Sequence, residues 1–222
     1  MDSFPEEKLN KIRRTDRASY ERAAIYALLD EAQVAHVGFI DDGRPIVIPM
    51  IYGRIGDALY LHGAKATRFA KAAAAGLPIC LTVTITDAIV VGRSAFHMSM
   101  NYRSAVIHGH TRLVTDTGEA ERALDAITSH VLPGRWAEAR PMLEKELKAT
   151  AVLRVAVESA SLKSRNGPSV DDGADYELPI WGGVIPLGLH AGLPQDDGRV
   201  PAGTPVPASV SAFLARHKGQ SD

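Results

Sequence analysis

The apolar positions of this chain recur with two different periods, and the switches between them outline its elements. Over residues 18–32, Tyr20, Ala24, Ile25, Leu28, Leu29 and Ala32 return at helical spacing and predict one amphipathic helix lidding the end of a sheet. Residues 34–40 and 44–52 are β-rich runs about the turn Asp41-Asp42-Gly43, a hairpin signature. Pro49 has no N–H for a ladder, so its strand is expected at an edge or with a bulge, leaving backbone groups free for a ligand. A turn over 54–57 leads to a third strand over 58–62, and an Ala-rich helix over 65–75 is closed by Gly76. Strands over 77–86, 88–96 and 104–114 follow, with the polar stretch 98–103 between the last two. Six strands in short-turn succession describe an antiparallel sheet closing into a barrel rather than βαβ units.

Beyond residue 115, Ala120, Ala123, Leu124, Ile127 and Val131 share one face of a helix over 118–132. Pro133-Gly134 separates it from a second helix over 137–148, and 151–157 reads as a final strand. Residues 1–15 are polar and mixed in charge, a mobile arm ahead of the domain at 16–189. Glycine and proline interrupt all periodicity over 164–207, with Trp181 as the anchor of that surface segment, and the tail at 190–222 carries a short helix over 206–217.

Length and composition narrow this picture. With 222 residues and 45% hydrophobic content the chain suits one globular domain with appendages. Cys80, alone in an apolar run, forms no internal disulfide and reads as a buried bystander in a reducing compartment. The acidic N-terminus lacks the apolar core of a signal peptide, and no segment reaches the ~20 apolar residues of a membrane span. The expected location is the cytoplasm, with no membrane partner.

Charge is unevenly placed. Of 26 acidic residues only Asp87 lies between Ala58 and Thr115, whereas Lys65, Arg68, Lys71, Arg93, Arg103 and Arg112 all do, giving that third of the chain +5 within a net charge of −1. A pI of about 6.7 argues against nucleic acid and for a small anionic ligand. The centre of the basic span is 60–69, where a strand gives way to a helix: Gly63, Ala64, Lys65, Thr67 and Arg68 supply a small residue, N–H groups at a helix start, a hydroxyl and fixed positive charge, the parts of a phosphate cradle. Ser99, Asn101, Tyr102, Arg103 and Ser104 form a second polar cluster, suited to phosphate and hydroxyl hydrogen bonds or to an ordinary inter-strand loop. Trp181-Gly182-Gly183 is either a core anchor or an aromatic wall beside a flat ligand. His108 and His110 share a strand face, but no carboxylate or cysteine nearby in sequence completes a ligand set, so no metal is expected. His62 and His97 have no adjacent acid and read as neutral hydrogen-bond partners. The Gly-rich signatures of Rossmann and P-loop proteins and the Gly-x-Ser-x-Gly elbow are missing.

Tyr60-Leu61-His62-Gly63-Ala64, the run from Ser99 to Gly109, Pro133-Gly134-Arg135-Trp136 and Trp181-Gly182-Gly183-Val184-Ile185-Pro186 resemble, in this order, motifs of the pyridoxamine 5′-phosphate oxidase-like FMN-binding split-barrel family. They are most similar to its branch of nitroimidazole-resistance and flavin-nucleotide-binding proteins, over about residues 13–189. The resemblance implies a mainly β, α+β fold: a six-stranded antiparallel split β-barrel with flanking helices, forming a homodimer with FMN at the interface. It implies that Val47, Ile48, Pro49 and Met50 face the isoalloxazine edge. His62, Gly63, Ala64, Lys65, Thr67 and Arg68, with Ser99, Asn101, Tyr102, Arg103 and Ser104, would hold phosphate and ribityl. Trp181, Lys163 and Arg165 would contribute across the interface. The Trp-x-Arg-type ending with which true pyridoxamine-phosphate oxidases bind substrate is not seen here. The implied function is an FMN-dependent oxidoreductase acting on a small molecule, with no side chain assigned to catalysis because the flavin carries the redox chemistry. A flavin or haem carrier or sensor, or a deazaflavin-dependent reductase, are the alternatives on the same scaffold.

Overall fold

The computed structural model describes residues 2–217. In chain order these form β1 (Ala18–Ser19), α1 (Arg22–Glu31), β2 (Val34–Asp41), β3 (Arg44–Ile51), β4 (Gly53–Ile55), β5 (Ala58–Ala64), α2 (Arg68–Ala73), β6 (Pro78–Val91) and β7 (Ser99–Leu113). There follow α3 (Thr117–Val131), α4 (Arg135–Glu138), α5 (Glu144–Ala149), β8 (Thr150–Ala156), β9 (Ser159–Arg165), β10 (Gly183–Pro186) and α6 (Ala208–Arg216). The ladders are antiparallel and run β3-β2-β6-β7-β8-β5-β4, with β9 and then β1 beside the first part of β7 and β10 beside the far end of β6. This is the antiparallel α+β architecture expected of a split barrel, with ten strands rather than six.

The split occurs at one residue. Up to His108, β7 pairs with β9, and from Thr111 it pairs with β8, so the sheet divides into two arms at Gly109. A Cβ on Gly109 would lie 2.1 Å from the carbonyl oxygen of Ala156, and only glycine allows that approach. The main core lies between the arms, where Val37, Leu59, Leu61, Leu81, Ile107 and Leu153 meet Ile25 and Leu29 of α1 and Phe69 of α2. A second core packs the outer side of β5 and β8 against α3 through Ala58, Tyr60, Val152, Ala123, Leu124 and Ile127. Helix α3 starts where the Asp116 carboxylate accepts the Glu119 N–H at 2.7 Å, satisfying an otherwise unpaired amide of the first turn.

Several expected elements differ. Residues 77–86 and 88–96 do not form two strands: Asp87 is a bulge, with register shifting between Thr86 and Ala88, and β6 runs through it. The polar stretch 99–103 is strand, not loop, because its backbone is paired to β6 throughout and from Tyr102 onward to β9 as well. The helix expected over 137–148 is two short helices separated around Pro141, which has no N–H to donate. The 65–75 helix is shorter, since Thr67 caps it. The arm expected to be mobile over 1–15 is docked across its described residues: Phe4 and Asn10 are buried, and the Asn10 amide donates to the Ala160 carbonyl at 3.2 Å. Trp181 does not anchor the 164–207 segment, being 65% exposed. That segment is held instead by β10 on β6 and by buried Asp171, which accepts from the Arg93 backbone at 2.7 Å and its guanidinium at 3.0 Å. Helix α6 lies within the 206–217 range expected, its Ser209 N–H donating to Glu138 at 3.0 Å. Among the described residues, no helix is long and apolar enough to cross a membrane.

Candidate functional site

The turn between β5 and α2 is ordered by its own hydrogen bonds, which leave the Lys65 ammonium as its unpaired charge among the described residues. The Thr67 hydroxyl accepts the Ala70 N–H at 3.2 Å and donates to the Ala64 carbonyl at 2.9 Å, fixing the first turn of α2. The Lys65 N–H is committed to the Ala149 carbonyl at 3.0 Å. Its side chain lines a cavity of about 440 Å³ together with Thr115, Thr117 and Lys148 and with the carboxylates of Asp116 and Glu144, the latter 2.6 Å from Lys148. Four of the six cations in the basic span are already paired: Arg68 with Asp41 at 3.0 Å, Arg93 with Asp171 at 3.0 Å, Arg103 with Asp87 at 2.7 Å and Arg112 with Glu119 at 2.6 Å. Among the described residues, Lys65 and Lys71 are the two that pair with no carboxylate. The concentrated field read from the sequence is therefore mostly cancelled, chiefly by acids from outside the span.

Strand β3 is the terminal strand of its arm, as Pro49 predicts. Ile46, Ile48 and Met50 pack against the core, while Val47 is 63% exposed and Pro49 lies opposite His36. Its last residue, Ile51, shares the wall of a cavity of about 720 Å³ with His62, Leu124, Ile127, Trp136 and Met142. His62 is on the α3 side of β5 because side chains alternate: Leu59 and Leu61 enter the main core, Tyr60 and His62 the other face. The His62 Nδ1 is buried without a hydrogen-bond partner, and burial lowers the imidazole's pKa below its ordinary value. Trp136 and Met142 escaped the sequence reading as site residues; the aromatic after Pro133-Gly134 was their only signal.

The second polar cluster is elsewhere. Tyr102 pairs with Arg165 and Ser104 with Lys163 across β7 and β9, and Tyr102, Ser104 and Lys163 line a shallow cavity of about 270 Å³ with Ile12. Seven residues of β7 separate Ser104 from Thr111, where the strand meets the β8–β5 arm, roughly 23 Å at an ordinary strand rise. One chain therefore does not bring the 62–68 turn and the 99–104 cluster together. Within the cluster the polar groups are largely occupied. Asn101 donates to the Gly167 carbonyl at 3.0 Å and accepts from Arg165, which also donates to Pro168 at 2.8 Å. The Ser104 hydroxyl is 2.9 Å from that of Thr84. Arg103 is clamped between Glu31 and Asp87, and those hydrogen bonds raise its already high pKa. Ser99 sits opposite Val90 at the far end of the β6–β7 ladder.

Trp181 folds back on its own glycines: a Cβ on Gly183 would come within 2.8 Å of the indole. The sequence sees no acid near His110, but the fold puts Glu158 at 2.9 Å from its Nδ1. His97 is 3.5 Å from Asp172, and the ligand atoms of His97, Asp172 and Asp175 lie within 4.8 Å of one another.

The family model for pyridoxamine 5′-phosphate oxidase matches residues 21–164, well over half of the sequence. The chain belongs to this family. No curated protein matches it in sequence. Among solved structures, this family member is similar to the flavocytochrome Anf3 from Azotobacter vinelandii, at 34% identity over 98% of this chain and 99% of that one, with a TM-score of 0.87. It is also similar to the FAD and haem binding protein from Mycobacterium smegmatis, at 38% identity over 88% of this chain and 96% of that one, with a TM-score of 0.84. A 5-nitroimidazole antibiotic resistance protein from Bacteroides thetaiotaomicron, 23% identical over 66% of this chain and 85% of that one at a TM-score of 0.57, shares the fold.

Proposed function

We propose that this protein is a flavin-dependent oxidoreductase that also carries haem, acting on a small molecule. The observation behind the flavin half is the β5–α2 turn, in which Thr67 orders the start of α2 and Lys65 presents an ammonium with no carboxylate partner among the described residues. Gly63, Ala64 and Arg68 complete the phosphate side, and the edge strand from Val47 to Met50 offers backbone groups to the flavin ring. A bound flavin supplies hydride and single-electron chemistry; the chain's task is to bind, orient and shield it. The haem half draws support from the full-length similarity to a flavocytochrome and to a FAD and haem binding protein.

The flavin is FMN in the sequence reading, and the FAD in the name of the relative from Mycobacterium smegmatis makes the dinucleotide the specific alternative. Because the 62–68 turn and the 99–104 cluster lie far apart in one chain, a site using both takes them from two copies, which favours a homodimer. The exposed Val47 and Ile51 on β3 and exposed Trp181 are surface such a partner would cover. The visible spectrum of the purified protein, followed by mass spectrometry of acid-released cofactor, tests the reading. Flavin maxima with a mass of FMN or FAD are expected, and a colourless protein that takes up neither flavin overturns it.

A further inference from the structure

We propose that the cavity between β5 and helices α3 and α4 is the haem pocket and that the His62 imidazole is an axial ligand to its iron. The inference rests on the flavin-and-haem reading above and locates the second cofactor. The cavity's volume of about 720 Å³ is within the ~300–1,000 Å³ of cofactor-sized sites. Its wall carries Leu124, Ile127, Trp136 and Met142, apolar surface of the kind a porphyrin face requires, and His62 is the one histidine in that wall.

Three features of His62 fit the role. A buried ring nitrogen without a partner is exceptional, since buried polar side-chain atoms are normally hydrogen-bonded, and a ligand entering the cavity gives the ring a partner. Alternation along β5 turns the ring toward the cavity on the α3 side and away from the main core that Leu61 enters. Position on a strand between two packed cores holds the ring rigidly.

Of the other imidazoles, His130 contacts the Ala32 carbonyl at 2.8 Å and His110 the Glu158 carboxylate at 2.9 Å; the His97 Nε2 is also buried without a hydrogen-bond partner, but the carboxylates of Asp172, at 3.5 Å, and Asp175 lie beside it. His108 lines a more open cavity of about 470 Å³ on the outer face of the β2–β3–β6–β7 sheet. His62 combines an unpartnered buried nitrogen with an apolar cavity wall, and the residues present there fit haem.

The test is titration of the flavin-loaded protein with haemin, read by the Soret band and by electron paramagnetic resonance, for wild type, His62→Ala, His62→Gln and, as controls, His97→Ala and His108→Ala. Loss of the ligand should cost at least the ~10–100-fold in affinity that loss of a supporting group costs a metal site. It should shift the Soret band, and free imidazole should restore the wild-type spectrum to His62→Ala. Circular dichroism and cooperative urea unfolding of His62→Gln check that the variants fold. Wild-type haem spectra in both His62 variants, or in wild type a flavin but no haem, overturn the inference while leaving the flavin reading intact. Absence of both cofactors overturns the two together.

Discussion

Arg103 reaches across from β7 to Glu31 at the end of α1, its Nη2 2.8 Å from Oε1 while Nη1 binds the other carboxylate oxygen. The same guanidinium gives Nε and Nη2 to the carboxylate of Asp87, at 3.1 and 2.7 Å. Four of its five N–H bonds are thus spent within the chain, and the bulge at Asp87 turns that carboxylate toward it. This residue closes α1 on the sheet instead of waiting for a phosphate.

Arg103→Lys should therefore lower stability and leave flavin affinity unchanged. An ammonium cannot make both forks, but the side chain is 35% exposed, so the expected loss is only about 1 kcal/mol. Urea unfolding of the apoprotein beside a flavin titration separates the two effects; a tenfold loss of flavin affinity at unchanged stability would return Arg103 to the site.

Lys65→Ala combined with Arg68→Ala should do the reverse. Charge-assisted hydrogen bonds are worth ~1.5–3 kcal/mol each, so flavin affinity should fall about tenfold or more. Arg68 is 69% exposed on its pair with Asp41, and Lys65 has no pair, so apoprotein stability should move little. Fluorescence titration with FMN and with FAD measures the affinity.

Gly109→Ala should destabilise severely. The added methyl would meet the Ala156 carbonyl oxygen at 2.1 Å, backbone that cannot move without opening the split between the arms. A loss of about 3 kcal/mol or more is expected, read as a fall in thermal midpoint or as insoluble expression.

Tyr52 is fully buried, and its hydroxyl lies 2.5 Å from the Leu29 carbonyl and 2.7 Å from that of Ala32, tying the end of α1 to the strand edge. Tyr52→Phe should cost about 1–2 kcal/mol, roughly 2–8 °C in thermal midpoint. Burial raises the Tyr52 pKa, so above the unfolded value of ~10 the unfolded chain loses this proton while the folded one keeps it. Its contribution is complete below pH ~10 and lost as pH rises through the folded pKa; midpoints measured from pH 8 to 11 should fall less steeply in Tyr52→Phe.

Acid should weaken the fold through the histidines. Burial lowers the pKa values of His62 and His108, so below the unfolded value of ~6.5 the unfolded chain takes up protons that the native one refuses. Their contribution is complete above that value and lost as pH falls through the folded pKa. A shallower decline of the thermal midpoint between pH 7 and 5 is expected in His62→Gln than in wild type; identical slopes would remove His62 from this effect.

Local periodicity in the sequence determined the α1 helix, the β2–β3 hairpin, the edge placement signalled by Pro49, the β5–α2 turn and the α3 face, because each depends on residues close in the chain and on rules of alternation, capping and proline geometry. Successive motifs marked the family for the same reason. Only the tertiary structure decided what the charges and polar groups do. Glu31 and Asp171 lie 72 and 78 positions from Arg103 and Arg93, so nothing local announces that these cations are neutralised. The serine-rich β9 is missed by the local pattern and is a strand because β7 covers its backbone, and Asp87, which falls between two expected strands, is a bulge because Thr86 and Ala88 on either side of it both pair with β7. His62 shows the limit most clearly. Alternation along β5 sets its side of the strand, but its burial and the apolar wall opposite come from α3 and α4, elements that pack there through contacts no spacing encodes.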